Sequence, residues 1–315
     1  MKKPSSPYTL PLIATTLAAA AAYALIPRPR RFYPGQVAII TGGSRGLGLA
    51  IARQFGRAGL KLVLCARHED ELDLARHQLL HRGDVRHDDD ILLVAADLTD
   101  QNQAAGLVDS AVRAFGRLDL LVNNAGIIEV GPFENQPIEA FERAMQTNFF
   151  AALYTIKAAL PHLLNPQDES HRGIVNIASI GGKIPVPHLL PYVAAKFALT
   201  GFSEGLHIEL RHQGINVTTV CPGLMRTGGE DHAHFAGQQA KEERWFKLSA
   251  KTPGLSANVD HAARRIYGAT QAGRAEITIT PQAWLAARIV GLAPETSQFL
   301  AALANEYLLP APSTT

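Results

Sequence analysis

Cysteine is almost missing from the 315 residues, with only Cys65 and Cys221 present. Each lies in an apolar run of strand character, so both read as small buried hydrophobes of a reducing compartment, and a disulfide framework is excluded. Net charge is scarce as well. A formal +2, without a basic stripe interleaved with aromatics, excludes nucleic acid as a partner. Acid is absent altogether from Met1 to Arg31. Within that stretch Tyr8 to Ile26 carries no charge at all, flanked by Lys2 and Lys3 and by Arg28, Arg30 and Arg31. As a helix it would span about 28 Å, close to a bilayer core. Leu10, Leu12, Ile13, Leu17, Leu25 and Ile26 each favour insertion by roughly 0.3–0.6 kcal/mol, while alanine and threonine add little. The expectation is an uncleaved membrane anchor and basic linker over 1–34. Its rivals are a signal peptide cleaved near Ala22-Tyr23-Ala24 and an organellar transit peptide.

What remains is ordinary globular material, 47% hydrophobic and 18% charged, with no internal repeat. "QVAIIT", "KLVLCA", "ILLVAA", "LDLLVN", "GIVNIAS" and "INVTTV" are six short apolar strands separated by amphipathic helical stretches. That alternation predicts an α/β fold, a doubly wound parallel sheet of Rossmann type buried on both faces. One catalytic domain over 35–280 suffices, followed by a helical amphipathic tail over 281–315. "HRGDVRHDDD", His81 to Asp90, reads as a solvated loop whose histidines and aspartates fix no ligand geometry, so no metal is expected.

The glycine-punctuated "GGSRGLG" joins the first strand to the first helix. A helix N-terminus there offers free N–H groups and a partial positive charge to a phosphate, and Gly42, Gly46 and Gly48 allow the backbone to approach it. The second strand ends in "CARHE", with no carboxylate to bond a ribose 2′-hydroxyl or to repel a phosphate. Arg67, with Arg45 in the glycine loop, would form a cationic clamp for the 2′-phosphate of NADP(H). Tyr192 precedes Lys196 by one helical turn, which puts their Cβ atoms roughly 5–6 Å apart on one face. An ammonium so close would pull the phenol below its usual pKa, toward acid–base use.

The chain resembles the short-chain dehydrogenase/reductases over roughly Gln36 to Thr280. "TGGSRGLG" fits that family's glycine pattern, "AADLTD" its adenine-contacting segment with Asp97, and "NNAG" its fourth-strand motif. Ser179 stands at the family's usual interval before Tyr192, Asn148 in "MQTNFF" at its helical asparagine, and "CPGLMRT" matches its segment after the sixth strand. The resemblance implies that Tyr192 hands a proton to a carbonyl oxygen held by Ser179 as hydride arrives. Lys196 would bind the nicotinamide ribose and lower the tyrosine's pKa, and Asn148 would link Lys196 to solvent through a water. Cofactor contacts would come from Gly42, Ser44, Arg45, Gly46, Leu47, Gly48, Arg67, Asp97, Leu98, Asn124, Ala125, Gly126, Tyr192, Lys196, Pro222, Gly223 and Thr227.

The same resemblance places a substrate lid at about 224–256, with Phe235, Trp245 and Phe246 available to close over an apolar ligand or to pack the lid onto the core. His232 and His234 read as polar lid residues rather than a metal pair. Ile184, Val186 and Leu189 would line the pocket. The tail carries Trp284, Leu285, Ile289, Phe299, Leu300, Leu303 and Leu308 in segments too short to span a membrane, so it reads as a helix on the core or in a membrane interface. The function expected is NADP(H)-dependent reduction of an apolar ketone or aldehyde, or oxidation of the matching alcohol, by a membrane-attached domain facing the cytosol. A homo-oligomer is compatible with this reading. The alternatives are a sugar-nucleotide epimerase or dehydratase and a non-catalytic NADP-binding scaffold; the three-residue gap between Gly42 and Gly46 and the modest C-terminal region argue against the first, the intact catalytic set against the second.

Overall fold

The computed structural model describes residues 32–165, 168, 170–226, 228, 232–251 and 256–313. The expected anchor and Thr227 lie outside the described residues. Seven parallel strands form the central sheet: β1 (Val37–Thr41), β2 (Lys61–Ala66), β3 (Ile91–Ala95), β4 (Leu120–Asn123), β6 (Arg172–Ile177), β7 (Ile215–Cys221) and β11 (Glu276–Thr278), in spatial order β11-β7-β6-β4-β1-β2-β3. The sequence predicts six of them; β11 is only three residues long and leaves no periodic signal. Chain connections reverse direction between β1 and β4, which opens a crevice at the C-terminal ends of those strands.

Side-chain alternation sorts the apolar residues into two layers. Ala38, Ile40, Leu62, Leu64 and Val122 pack against helices α1 (Gly46–Arg57), α2 (Glu69–His81) and α8 (Val259–Gln271), through Ile51, Phe55, Leu72 and Ile266. Val37, Ile39, Val63, Leu121 and Ile174 face the other way, onto α3 (Gln101–Phe115) and α5 (Ala151–Leu164), through Leu107, Val108, Ile156 and Leu163. A strand buried on both faces reads as a nearly continuous apolar run, as Val37 to Ile40 of β1 do. Cys65 and Cys221 are free and buried, and burial pushes each thiol up to about 12.

Polar side chains interrupt the second layer near the tops of three strands. Asn123, Asn176 and Thr219 are register neighbours. Asn123 Nδ2 donates to Asn176 Oδ1 at 2.9 Å, and Asn176 Nδ2 donates to Ser203 Oγ at 2.9 Å. Thr155 and Thr219 hydroxyls close the chain onto Asn123 Oδ1 at 2.7 Å and Ser203 Oγ at 2.7 Å.

Helix α4 (Ile138–Met145) runs through a π-helical turn, Gln146–Phe150, into α5, and α6 (Leu190–Leu210) follows with Pro191 in its first turn. Residues 224–258 contain β8 (Met225–Arg226), β9 (His234–Phe235), α7 (Gln239–Lys251) and β10 (Ala257–Asn258). β8 pairs with β10, and β9 pairs with β5 (Glu129–Val130), which ties this excursion to the body at two places. The tail forms α9 (Pro281–Leu292) and α10 (Pro294–Leu308), whose large apolar side chains, Trp284, Leu285, Leu292 and Phe299 among them, stay exposed instead of packing onto the core. No helix among the described residues is long and apolar enough to cross a membrane.

The segment 81–90 corrects its expectation. Asp84 and Val85 are buried, with Asp84 paired to Arg57 at 2.6 Å, while the residues on either side, His81 to Gly83 and Arg86 to Asp89, are exposed as expected, and Arg76 pairs with Asp88.

Candidate active site

The crevice holds a cavity of about 880 Å³. Its floor is the glycine loop. Gly42 and Gly46 have positive φ of 61° and 54°, and a Cβ on Gly48 would come within 2.0 Å of the Gly42 carbonyl oxygen. Gly48 therefore sits behind the wall, as packing that lets the loop close, while Gly42, Ser44, Arg45, Gly46 and Leu47 line the cavity. The loop is held from β4: Asn124 Nδ2 donates to the Thr41 and Gly42 carbonyls at 3.0 Å, and the N–H groups of Asn124 and Ala125 reach Thr41 Oγ1 at 2.9 and 3.0 Å. No side chain caps α1, and its first turn carries no acid. Free N–H groups at the head of that helix are what a pyrophosphate requires, so the residues present fit a dinucleotide.

Arg45, Arg67, Asp97, Leu98, Asn124, Ala125, Gly126, Pro222 and Gly223 all line the same cavity. The expectation that no carboxylate stands near the clamp needs correction. Glu71, one turn into α2, also lines it, takes the Arg45 guanidinium at 2.9 Å and accepts from Ser44 Oγ at 3.0 Å. The strand end itself carries no acid, but the following helix folds one back.

Asn148, Ser179, Tyr192 and Lys196 line the same cavity and lie close to one another. The π-turn directs Asn148 inward, where only 1% of it is exposed; its amide accepts from the Ile127 N–H and donates to the Ile127 carbonyl, both at 3.1 Å. Gly126 is required there, because a Cβ would stand 2.5 Å from Asn148 Oδ1. Ser179 Oγ accepts the Gly181 N–H at 3.0 Å. Lys196, 4% exposed, donates to the Ile177 carbonyl at 2.9 Å, and its Nζ lies 5.6 Å from the centre of the Tyr192 ring.

The charges differ from the simple spacing argument. Tyr192 is pushed above its ordinary value by burial, with the Ser179 hydrogen bond working the other way. Lys196 is pushed down to about 8, again by burial. The lysine sits beside the ring with its head turned to a backbone carbonyl, so desolvation outweighs its pull on the phenol.

Ile127, Ile128, Met225, His232 and His234 also line the cavity, together with Glu139, Glu142, Arg143 and Gln146, whereas Ile184, Val186 and Leu189 take no part in it. Nor do the three expected lid aromatics. Phe246 is buried between Phe235 and Trp245, with ring centres 6.1 and 5.8 Å away, and Trp245 donates to Glu242, so they form the core of the excursion itself.

A family model described as short chain dehydrogenase matches residues 36–234. "Dehydrogenase/reductase SDR family protein 7-like" of Anopheles gambiae is 35% identical over 235 residues, which cover 75% of this chain and 72% of that protein. Among solved structures, a short-chain dehydrogenase/reductase from Burkholderia phymatum in complex with NAD superposes with a TM-score of 0.76 at 23% identity, over 90% of this chain and 99% of that one, a likeness of fold. A single-substitution variant of actinorhodin polyketide ketoreductase with NADPH reaches 0.66 at 29% identity, over 78% and 95%. With the glycine floor, the four-residue cluster and a family match over more than half its length, this chain belongs to the short-chain dehydrogenases, a family of oxidoreductases.

Proposed function

We propose that the protein is an NADP(H)-dependent carbonyl reductase, or the reverse alcohol dehydrogenase, acting on an apolar ketone or aldehyde. The observation that carries this reading is the meeting of Asn148, Ser179, Tyr192 and Lys196 in a cavity that an uncapped helix N-terminus also lines. A nicotinamide bound there would supply the hydride. Because burial raises its pKa, Tyr192 keeps its proton through the neutral range and serves as the donor to a carbonyl oxygen. Ser179 orients that oxygen, and Lys196, held by the Ile177 carbonyl beside the Tyr192 ring, would bind the nicotinamide ribose. Asn148 holds the Ile127 backbone, next to Gly126 on the cavity lining.

Arg45 and Arg67 on the rim favour a 2′-phosphate; Glu71 opposes it and would suit a ribose hydroxyl, which keeps NAD(H) as the second reading. The apolar substrate class is supported by Ile127, Ile128 and Met225 in the cavity lining. Purified protein should oxidise NADPH in the presence of ketones or aldehydes of graded chain length and ring size, with NADH run in parallel. Tyr192→Phe should lower turnover by about 10²–10⁴-fold with NADPH binding retained. A variant keeping more than half the wild-type rate sinks the assigned chemistry.

Membrane attachment through residues 8–26, with the catalytic domain on the cytosolic side where NADP(H) circulates, completes the proposal. Full-length protein should sediment with membranes and resist release by high salt, because an apolar helix is insensitive to screening. A protein lacking residues 1–31 should stay active and shift toward the soluble fraction. A wholly soluble full-length protein, or a mature N-terminus near Leu25, refutes the anchor.

A further inference from the structure

His188 is the one residue other than glycine, among those described, with a positive φ, at 62°. It stands four residues before Tyr192, just ahead of α6. Histidine holds such backbone only where its surroundings over-determine it. Here they do. Its carbonyl accepts the Gly131 N–H at 2.8 Å, directly after β5. Its Nδ1 lies 2.9 and 3.0 Å from the two Glu242 oxygens, and the Trp245 indole N–H donates to Glu242 Oε2 at 2.6 Å. Glu242 is fully buried and His188 nearly so, at 6% exposure, with the Trp245 ring edge-on to the imidazole. A carboxylate accepts and an indole donates, so the arrangement is consistent when the His188 proton sits on Nδ1.

One residue thus joins three pieces. Its main chain leads into the helix of Tyr192 and Lys196, its carbonyl holds the end of β5, and its ring holds α7. β5 in turn pairs with β9, whose His234 lines the cavity next to Ile127 and Ile128.

We propose that His188 and Glu242 are a positioning pair, a latch that sets the height of the 232–251 excursion above Tyr192 and so the shape of the pocket where substrate lies. The kinetic side of this rests on the carbonyl-reductase reading; the structural side is independent of it.

Three substitutions separate the latch from plain backbone strain. His188→Gly relieves the positive φ and removes the donor. His188→Asn tolerates the same backbone and keeps an N–H at the same number of bonds from Cα. Glu242→Gln keeps the shape but puts an amide group against two donors. In the free protein, hydrogen exchange of the 239–251 amides should quicken at least tenfold in His188→Gly and Glu242→Gln, with β1 and β4 amides unchanged. His188→Asn should stay within threefold of wild type. With a carbonyl substrate, KM should rise at least fivefold in the first two variants while kcat stays within twofold, and His188→Asn should restore KM.

Unchanged exchange in 239–251, or an equal rise across the sheet, overturns the latch. A fall in kcat at constant KM overturns its role in substrate placement. Should the glycine variant fail to accumulate, Glu242→Gln is read by the same criteria. If wild type reduces no carbonyl at all, the reaction assignment fails while the exchange result still decides the latch.

Discussion

Replacing Lys196 with methionine should change how stability depends on pH, and by an amount the structure sets. The side chain is 4% exposed, and burial pushes its pKa down to about 8 from an ordinary 10.5. Between those values the unfolded chain holds a proton that the folded chain has released, so stability rises with pH through that window. Below pH 8 both states are protonated and the burial penalty is present in full. The gap, at about 1.36 kcal/mol for each tenfold change in proton affinity, amounts to roughly 3 kcal/mol. Methionine removes this dependence. It also leaves the Ile177 carbonyl without its donor at 2.9 Å, a loss of about 1–3 kcal/mol at every pH. The two effects oppose each other at pH 7, so the variant should lie within about 2 kcal/mol of wild type there. At pH 10 only about a quarter of the burial penalty is left, so the lost bond dominates and the variant should be the less stable by up to about 2 kcal/mol. Urea unfolding of both proteins without cofactor, at steps from pH 7 to 10, measures the difference directly, since every other titrating group is common to the pair. Curves that run parallel would show that Lys196 titrates normally and that its burial has been misjudged.

Glu71→Ala should free Arg45 from its 2.9 Å partner and strengthen NADPH binding over NADH by about tenfold, at the low end of a charge-assisted contact. Arg45→Ala with Arg67→Ala should do the reverse, and fluorescence titrations showing equal changes for the two cofactors would remove the clamp. Gly126→Ala puts a Cβ 2.5 Å from Asn148 Oδ1 and 3.6 Å from Lys196 Nζ. The displacement should cost about 10²-fold in turnover, while a variant at wild-type rate would show that the asparagine needs no fixed place.

The readable parts of this site are those whose meaning is local. The glycine loop announces itself because positive φ and close approach demand glycine at Gly42, Gly46 and Gly48, and Tyr192 and Lys196 share a face because the helix has a fixed period. The unread parts depend on direction or on partners distant in sequence. Spacing places the ammonium near the phenol but says nothing of its turn toward the Ile177 carbonyl, nor of the desolvation that raises Tyr192. Glu71 reaches the cofactor rim only because α2 folds back over the glycine loop. Hydrophobicity marks Phe235, Trp245 and Phe246 as groups to be covered, and they pack on one another instead of lining the cavity. His188 gives no local sign of left-handed backbone, since Gly131 and Glu242, which hold it there, are 57 and 54 residues away in the sequence.

The chain of buried amides and hydroxyls across β4, β6 and β7 works as proofreading for strand alignment. A slip of β6 by two residues would leave each side chain on its original face, and the apolar contacts of neighbouring leucines, isoleucines and valines would hardly distinguish the mistake. Asn123 and Asn176 do distinguish it. Misaligned, each would lose its partner while buried, at about 1–3 kcal/mol per orphaned group, and Thr155, Ser203 and Thr219 would lose theirs with them. Because Asn123 immediately precedes Asn124 and Asn176 stands three residues before Ser179, the strands that must be aligned without error to assemble the cavity are the ones that carry this check.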